Sequence, residues 1–218
     1  MPPETAAEAA PNPSVVGLVL AGGLSRRMGG GDKCLLPLGD RTVLAHVLER
    51  VRPQVARAIL NANGDPARFA AYGLPVVPDI VDGFAGPLAG VLTGLDWAAR
   101  NAPQARWVAS FAADTPFLPS DLVRRMLDSV AGGKADMACA ASGGRAHPVF
   151  GLWPVRLLDD LRDAVVVRGI RKVDAWTANY RLARVECAIE GGIDPFFNAN
   201  TPADMARAED MLNHLRLA

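Results

Sequence analysis

The chain has 218 residues, and its 23 acidic and 23 basic side chains give a formal net charge of zero. This length favours one domain with a sizeable core. The balanced charge excludes the broad basic surface that binds DNA or RNA, and no apolar run is long enough to span a membrane. Three scattered cysteines, Cys34, Cys139 and Cys187, lack the spacing of a disulfide framework or zinc site, which favours reduced thiols and a cytoplasmic location.

The first 14 residues, MPPETAAEAAPNPS, have neither a positive segment nor an apolar one, so we do not expect them to form a secretory signal peptide. We interpret residues 1–14 as a disordered tail and residues 15–218 as a single domain. Next comes SVVGLVLA, a continuously apolar segment that predicts a strand buried on both faces. Beyond a glycine-rich loop, RTVLAHVLERV predicts a helix and VARAILNAN a second strand, which completes a βαβ unit.

The same alternation continues along the chain. We predict a short helix, a short strand, a helix, a strand and a helix from DPARFAAY, LPVVPD, GPLAGVLTGLDWAARN, RWVASFAAD and PSDLVRRMLDSV. The second half predicts two strands, two helices, a strand and a closing helix from ADMACAAS, AHPVFGLWP, VRLLDDLRDAVV, IRKVDAWTANY, RLARVECAI and TPADMARAEDMLNHL. Thr201 is the expected N-cap of the last helix. This order predicts an α/β fold with a Rossmann-like, open, mostly parallel sheet and helices on both faces.

The loop after the first strand, LAGGLSRRMGGGDK, combines glycines, two adjacent arginines and a lysine. Small residues let backbone N–H groups approach phosphate oxygens while cations neutralise the charge, so the loop predicts a phosphate site. It is neither a P-loop nor a dinucleotide fingerprint, since GxxxxGK[ST] and GxGxxG are both absent. Asn61 and Asp114 also follow predicted strands, and parallel strands bring such positions to one edge of the sheet.

The pattern LAGG-x-S-x-RMG-x(n)-DK resembles the opening loop of nucleotidyltransferases, and residues 20–36 are similar almost position by position to molybdenum cofactor guanylyltransferases. The segments NAN, VVPD, GPLAGVLTGL, DTPFLP, HPVFGLW and FFNANTPADM resemble motifs of that family, in its order. The resemblance implies a nucleotide-diphospho-sugar transferase-like fold that transfers GMP from GTP to the terminal phosphate of molybdopterin and releases pyrophosphate. It places GTP in the N-terminal half and the pterin in the C-terminal half.

The resemblance also implies roles for individual residues. Lys33 and Arg27 are the expected catalytic cations, with Arg26 equally able to face solvent, and Asp114 is the expected ligand of a catalytic Mg²⁺. The implied GTP-binding residues are Leu20, Ala21, Gly22, Gly23, Lys33, Asn61, Asp79 and Asp114. Guanine offers N–H donors that a carboxylate or amide oxygen accepts, and which of Asn61 and Asp79 contacts it stays open. A phosphate monoester is already a dianion near neutral pH, so no general base is required.

The pterin or its phosphate is expected near His147, Asn198 and Asn200, although a histidine in a hairpin and asparagines in a turn have ordinary structural explanations. The expected partners are GTP and molybdopterin, together with molybdoenzyme apoproteins or cofactor-handling proteins, and neither nucleic acid nor a membrane. Alternative functions are a cytidylyltransferase on the same cofactor, a sugar-phosphate nucleotidyltransferase, and a nucleotide-binding chaperone without turnover. Gly22-Gly23 and the ending FFNANTP favour GTP over CTP, and retention of Lys33 and Asp114 favours an enzyme.

Overall fold

The computed structural model describes residues 11–22, 32–81, 83 and 86–217. Its strands are β1 (Asn12–Leu20), β2 (Pro37–Leu38), β3 (Arg41–Thr42), β4 (Val55–Asn61), β5 (Val76–Val77), β6 (Trp107–Ala112), β7 (Met137–Ser142), β8 (Arg145–Pro154) and β9 (Leu182–Glu186). Its α-helices are α1 (Val43–Val51), α2 (Pro87–Asn101), α3 (Leu122–Val130), α4 (Leu158–Arg162), α5 (Val173–Thr177) and α6 (Pro202–Leu217). Short 3₁₀ turns join several of them, and a longer 3₁₀ helix, Pro66–Tyr72, stands where DPARFAAY predicted a short helix. A π-helical turn, Asp163–Val167, extends α4.

Seven strands form one sheet in the order β5-β4-β1-β6-β8-β7-β9. Strands β5, β4, β1 and β6 are mutually parallel, and β7 and β9 are parallel to each other. Strand β8 is antiparallel to both of its neighbours, so it alone among the described strands of this sheet runs in the reverse direction. The prediction of an open, mostly parallel α/β sheet is confirmed.

Both faces of the sheet are covered, as the apolar run of β1 predicted. Val15 and Val19 of β1 pack in one core with residues of α1 and α3. Val16 and Leu18 pack in a second core with residues of α2, α4 and α5. Successive side chains of a strand point to opposite faces, so a strand between two helical layers is apolar at consecutive positions. Helix α6 packs away from both cores, against Leu38 and Val43.

Several boundaries differ from the sequence predictions. Strand β1 begins at Asn12, within the segment assigned to the tail, because Asn12 lies in register with Val55 and its side chain accepts hydrogen bonds from Ser14. The two-stranded hairpin of β2 and β3 was not predicted, since each strand has only two residues. Helix α5 is much shorter than the predicted 170–180, and beyond it the Tyr180 hydroxyl donates to Asp160 at 2.5 Å.

None of the helices in the described part of the chain combines the length and apolar character needed to cross a bilayer.

Helix α2 lies very close to the carboxyl ends of β1 and β4. A Cβ atom at Gly90 would lie 2.4 Å from Leu20 Cδ2 and 2.6 Å from Asn61 Oδ1. Asn61 is 4% exposed, so its side chain has little room to move. A glycine at this position therefore permits the approach of the helix to the edge of the sheet where the polar residues gather.

We expect Gly90→Ala to destabilise the fold even though alanine is the better helix former. Helix propensity favours alanine by about 1 kcal/mol, whereas overpacking costs roughly 1–3 kcal/mol. Thermal unfolding should show a lower midpoint than the wild type. The exposed Ala99→Gly in the same helix measures the propensity effect alone, at about 1 kcal/mol. A Gly90→Ala protein more stable than the wild type would contradict the close packing.

Candidate active site

The three segments predicted to converge do so at the carboxyl edge of the sheet. The Ala21 amide donates to the Asn61 carbonyl at 2.9 Å, and the Ala113 amide donates to the Leu20 carbonyl at 3.1 Å. These bonds continue the strand pairing past the ends of β4, β1 and β6. The loop after β1, the end of β4 and the segment leading to Asp114 therefore share one edge.

Some of the backbone groups predicted to contact GTP are already hydrogen-bonded within the sheet. The Leu20 carbonyl and the Ala21 amide are engaged within the sheet. Among the described residues no atom lies within 4 Å of a Cβ built on Gly22, and Gly22 does not have a positive φ. The predicted site residues Gly23 and Arg27, and also Arg26, lie outside the described residues.

Asn61 and Asp79 form one hydrogen-bonded group with Asn63. The Asn61 amide donates to the Val77 carbonyl at 3.1 Å and to Asp79 Oδ1 at 3.0 Å. Asn63 donates to Asp79 Oδ2 at 2.9 Å and accepts from the Asp79 backbone amide at 2.8 Å. Asn61 is buried whereas Asp79 is half-buried, so Asn61 orients the carboxylate and Asp79 is the more accessible of the two.

Lys33 opens a 3₁₀ turn immediately after the glycine loop, and its ammonium group donates to Asn200 Oδ1 at 3.1 Å. The adjacent Asp32 accepts from Arg68 Nε at 2.5 Å, and the same guanidinium donates to the Asn63 carbonyl at 2.5 Å. Arg68 thereby fastens the distal end of the loop to the segment that follows β4. Asn200 lies 167 residues from Lys33 in the sequence, and the fold brings the two together.

Asp114 follows β6 and is half-buried. Its carbonyl accepts from the Ala199 amide at 3.0 Å, and the neighbouring Thr115 hydroxyl donates to Asn198 Oδ1 at 2.5 Å. The segment Asn198–Asn200 was predicted to lie with the pterin. The structure shows it directly against the Asp114 and Lys33 segments, at the centre of the carboxyl edge.

The electrostatics of this centre follow from burial. Desolvation raises the pKa of the Asp114 carboxyl, and its backbone hydrogen bond and the charge of Lys33 act in the opposite direction. Desolvation also raises the pKa of the Cys34 thiol to about 12, and the charges of Asp32 and Asp114 add to that effect. Cys34 is therefore an uncharged, buried neighbour of these carboxylates and not a nucleophile.

The donor set fits a magnesium ion that is shared with a ligand. Among the described residues no three His, Cys, Asp or Glu side chains are grouped as an all-protein metal cage. Magnesium is commonly held by one or two carboxylates together with phosphate oxygens and water, and a half-buried aspartate can supply the first of these. A bound cation favours the ionised carboxylate, which opposes the effect of desolvation on Asp114.

The predicted pterin residue His147 lies in the other half of the same edge. It stands near the start of β8, and its ring packs against Phe196 with centroids 4.6 Å apart. The recorded partners of His147 among the described residues are Ser142 and Phe196, and Phe196 precedes Asn198 and Asn200 in the same loop. Desolvation lowers the pKa of His147, and the charge of Arg145 acts in the same direction, so burial favours the uncharged ring.

Five polar residues at this edge were not predicted: Asp32, Asn63, Arg68, Ser142 and Asp194. Asn63 lies in the same NAN tripeptide as Asn61, so the motif itself contained a signal for it. The Arg68–Asp32 pair, 36 residues apart, left no pattern in the sequence.

A family model and curated relatives both assign the chain to the same family of nucleotidyltransferases. The model of the MobA-like NTP transferase domain matches residues 17–184. The molybdenum cofactor guanylyltransferase of Bradyrhizobium sp. (strain ORS 278) is 59% identical over 196 residues, covering 90% of this chain and 92% of the relative. That of Rhodopseudomonas palustris (strain BisB5) is 57% identical over 200 residues, covering 92% and 95% respectively.

Solved structures support the fold. Molybdopterin-guanine dinucleotide biosynthesis protein A from Archaeoglobus fulgidus superposes with a TM-score of 0.71 at 20% identity, covering 91% of this chain and 99% of that one. A CMP:2-keto-3-deoxy-manno-octonic acid synthetase in complex with CTP gives a TM-score of 0.70 at 13% identity, covering 92% and 99%. At such identities the likeness establishes the nucleotidyltransferase fold alone.

Proposed function

This chain belongs to the MobA-like NTP transferase family and, within it, to the molybdenum cofactor guanylyltransferases, and we propose that it transfers GMP from GTP to the terminal phosphate of molybdopterin. Pyrophosphate leaves, and the product is the guanine dinucleotide form of the cofactor. The observation that carries the proposal is the meeting of Lys33, Asp114 and Asn200 at the carboxyl edge of the sheet. A cation and a carboxylate at that edge are what a nucleotidyl transfer needs.

GTP is proposed to lie along the ends of β1 and β4. Among the described residues neither backbone conformation nor packing requires a glycine at Gly22, which is consistent with the proposed close approach of the nucleotide there. Asp79, oriented by Asn61 and Asn63, is the proposed acceptor for guanine N–H groups. Leu20, Ala21 and Gly23 are the proposed backbone neighbours of the nucleotide.

The chemistry is an in-line displacement at the α-phosphorus of GTP. The attacking phosphate of molybdopterin is already largely a dianion at neutral pH, so the protein orients it and does not need to remove a proton. Lys33, held by Asn200, is proposed to stabilise negative charge that develops on the departing pyrophosphate, with Arg27 as a second cation. Asp114 is the proposed holder of Mg²⁺, which supplies further charge stabilisation when bound.

Molybdopterin is proposed to lie on the other side of the Lys33 and Asp114 centre, against His147, Asn198 and Asn200. Asn200 is then proposed to act on both substrates, because it positions Lys33 for GTP and borders the pterin half. We also propose a cytoplasmic location, which three buried free thiols support, and transfer of the product to molybdoenzyme apoproteins or cofactor-handling proteins.

We expect the purified protein, given molybdopterin, Mg²⁺ and each nucleoside triphosphate in turn, to form a dinucleotide from GTP far faster than from ATP, CTP or UTP. Mass analysis of the product identifies the base that is transferred. Preferential use of CTP would make the chain a cytidylyltransferase. Tight binding of GTP without any dinucleotide would instead indicate a chaperone for the nucleotide.

We expect Asp114→Asn to lower turnover by about a hundredfold or more, because the amide keeps the shape of the side chain but loses the charge that holds Mg²⁺. The thermal midpoint should stay near that of the wild type, since the substitution removes a carboxylate that is costly to desolvate. The exposed Asp128→Asn on α3 is the matched control. Near-normal turnover of Asp114→Asn at limiting Mg²⁺ would show that Asp114 does not hold the metal ion.

We expect Lys33→Ala to lower kcat by on the order of a hundredfold and the affinity for GTP by less, because the lysine acts mainly in the transition state. Asn200→Ala keeps the cation but loses its anchor, and a decrease in kcat of about tenfold is expected. Steady-state kinetics at saturating GTP measures both variants, with Lys134→Ala as the control. An unchanged kcat in Lys33→Ala would exclude the lysine from the chemistry.

A further inference from the structure

A second polar cluster lies at the carboxyl end of β7, apart from the group formed by Lys33, Asp114 and Asn200. It consists of Ser142, His147 and Asp194. The Ser142 hydroxyl oxygen lies 2.8 Å from Asp194 Oδ1 and 2.8 Å from His147 Nε2. Ser142 is 3% exposed and ends β7, His147 pairs with that strand from β8, and Asp194 belongs to the loop before α6. Three separate segments therefore meet at one serine hydroxyl.

The hydrogen-bond directions in this cluster follow from the number of protons. A carboxylate only accepts, so the single proton of the Ser142 hydroxyl is donated to Asp194. The serine oxygen is then left with lone pairs, and the contact with His147 requires a proton on Nε2. The Phe196 backbone amide also donates to Asp194 Oδ1, at 2.9 Å, which fixes that oxygen. In the neutral ring the other nitrogen, Nδ1, is consequently an acceptor.

The plane of the imidazole ring is fixed as well. The ring contacts the serine oxygen through Nε2 and packs on the Phe196 ring, and Phe196 packs in turn on Phe150 with centroids 4.8 Å apart. The charged groups that face the ring are Asp194, Arg145 and Glu186, and desolvation outweighs them in lowering the pKa of His147. Within the part of the chain that the structure describes, Nδ1 has no hydrogen-bond partner. An oriented acceptor on a half-buried ring is thus available to a ligand.

We propose that Ser142 and Asp194 are positioning residues that hold His147 in its Nε2–H tautomer, so that Nδ1 accepts a hydrogen bond from an N–H group of the acceptor substrate. The proposal rests on the proposed function, which puts a heterocycle rich in ring N–H and amino groups in this half of the molecule. A histidine in the other tautomer would present a donor there and would repel those groups. Neither Ser142 nor Asp194 needs to touch the substrate.

Nitrogen NMR of histidine-labelled protein tests the tautomer without any substrate. The chain has 3 histidines, and His147→Gln assigns the signals of His147. The wild type should show a protonated Nε2 and an unprotonated Nδ1. In Ser142→Ala and Asp194→Ala the signals should shift toward a mixture of tautomers, since in the latter the serine becomes free to donate to Nε2. Asp194→Asn keeps an acceptor oxygen and should keep the wild-type tautomer.

Kinetics tests the consequence for the substrate. Ser142→Ala should raise the KM for molybdopterin by about tenfold and leave the KM for GTP unchanged. Asp194→Asn, which keeps the acceptor oxygen, should change neither KM appreciably. Ser129→Ala, whose hydroxyl donates to the Met126 carbonyl on α3, is the control and should behave as the wild type.

The outcomes distinguish the positioning role of Ser142 and Asp194 from the contact between His147 and the substrate. A wild-type ring protonated on Nδ1, or a Ser142→Ala spectrum identical to that of the wild type, would overturn the positioning role. A Ser142→Ala variant with an altered tautomer but an unchanged KM for molybdopterin would overturn the substrate contact. A wild-type enzyme that forms no dinucleotide would overturn the proposed function, and in that case the spectra still decide whether Ser142 and Asp194 position the ring.

Discussion

The site depends on the parallel pairing of β1 with β4 on one side and β6 on the other. Parallel neighbours end at the same edge, so the loop after Leu20, the Asn61 group and the Asp114 segment are brought together by backbone pairing before any side chain contributes. Two backbone bonds past the strand ends extend that order into the loops. Burial of β1 under helices on both faces holds this register, because a slip of one residue would exchange the two apolar faces.

A second requirement is met by the segment between β9 and α6. Asp194 fixes Ser142, Phe196 packs on His147, Asn198 accepts from Thr115, and Asn200 holds Lys33. One stretch of seven residues, 194–200, therefore contacts both halves of the carboxyl edge. The reciprocal bonds between Thr201 and Asp204 start α6 immediately afterwards and anchor the end of the stretch. Disturbing this segment should affect both substrates, in contrast to changes on the Asn61 side.

Polar residues at this edge of the sheet both stabilise the fold and supply groups for the proposed chemistry. Asn61 is buried and supports Asp79, while α2 approaches its side chain closely enough to require Gly90. Asp114 and Lys33 partly compensate each other in a half-buried setting, which keeps a carboxylate and a cation near the expected phosphates without a fully formed ion pair in the interior. The nearly neutral chain thus concentrates charge locally, where an anionic substrate is expected.

The sequence by itself determined the alternation of strands and helices, the mostly parallel sheet and the polar strand ends, because apolar period and glycine placement are local properties of the chain. It also identified Lys33, Asn61, Asp79 and Asp114 as candidates, through motifs that are continuous in sequence. Only the tertiary structure decided that Asn200 holds Lys33, that Arg68 fastens Asp32, and that Ser142 and Asp194 set the hydrogen bonding of His147. Except for Ser142 with His147, which face each other across the hairpin of β7 and β8, these contacts join residues far apart in the chain. Their geometry depends on how strands and loops pack at the edge of the sheet, which no local pattern records.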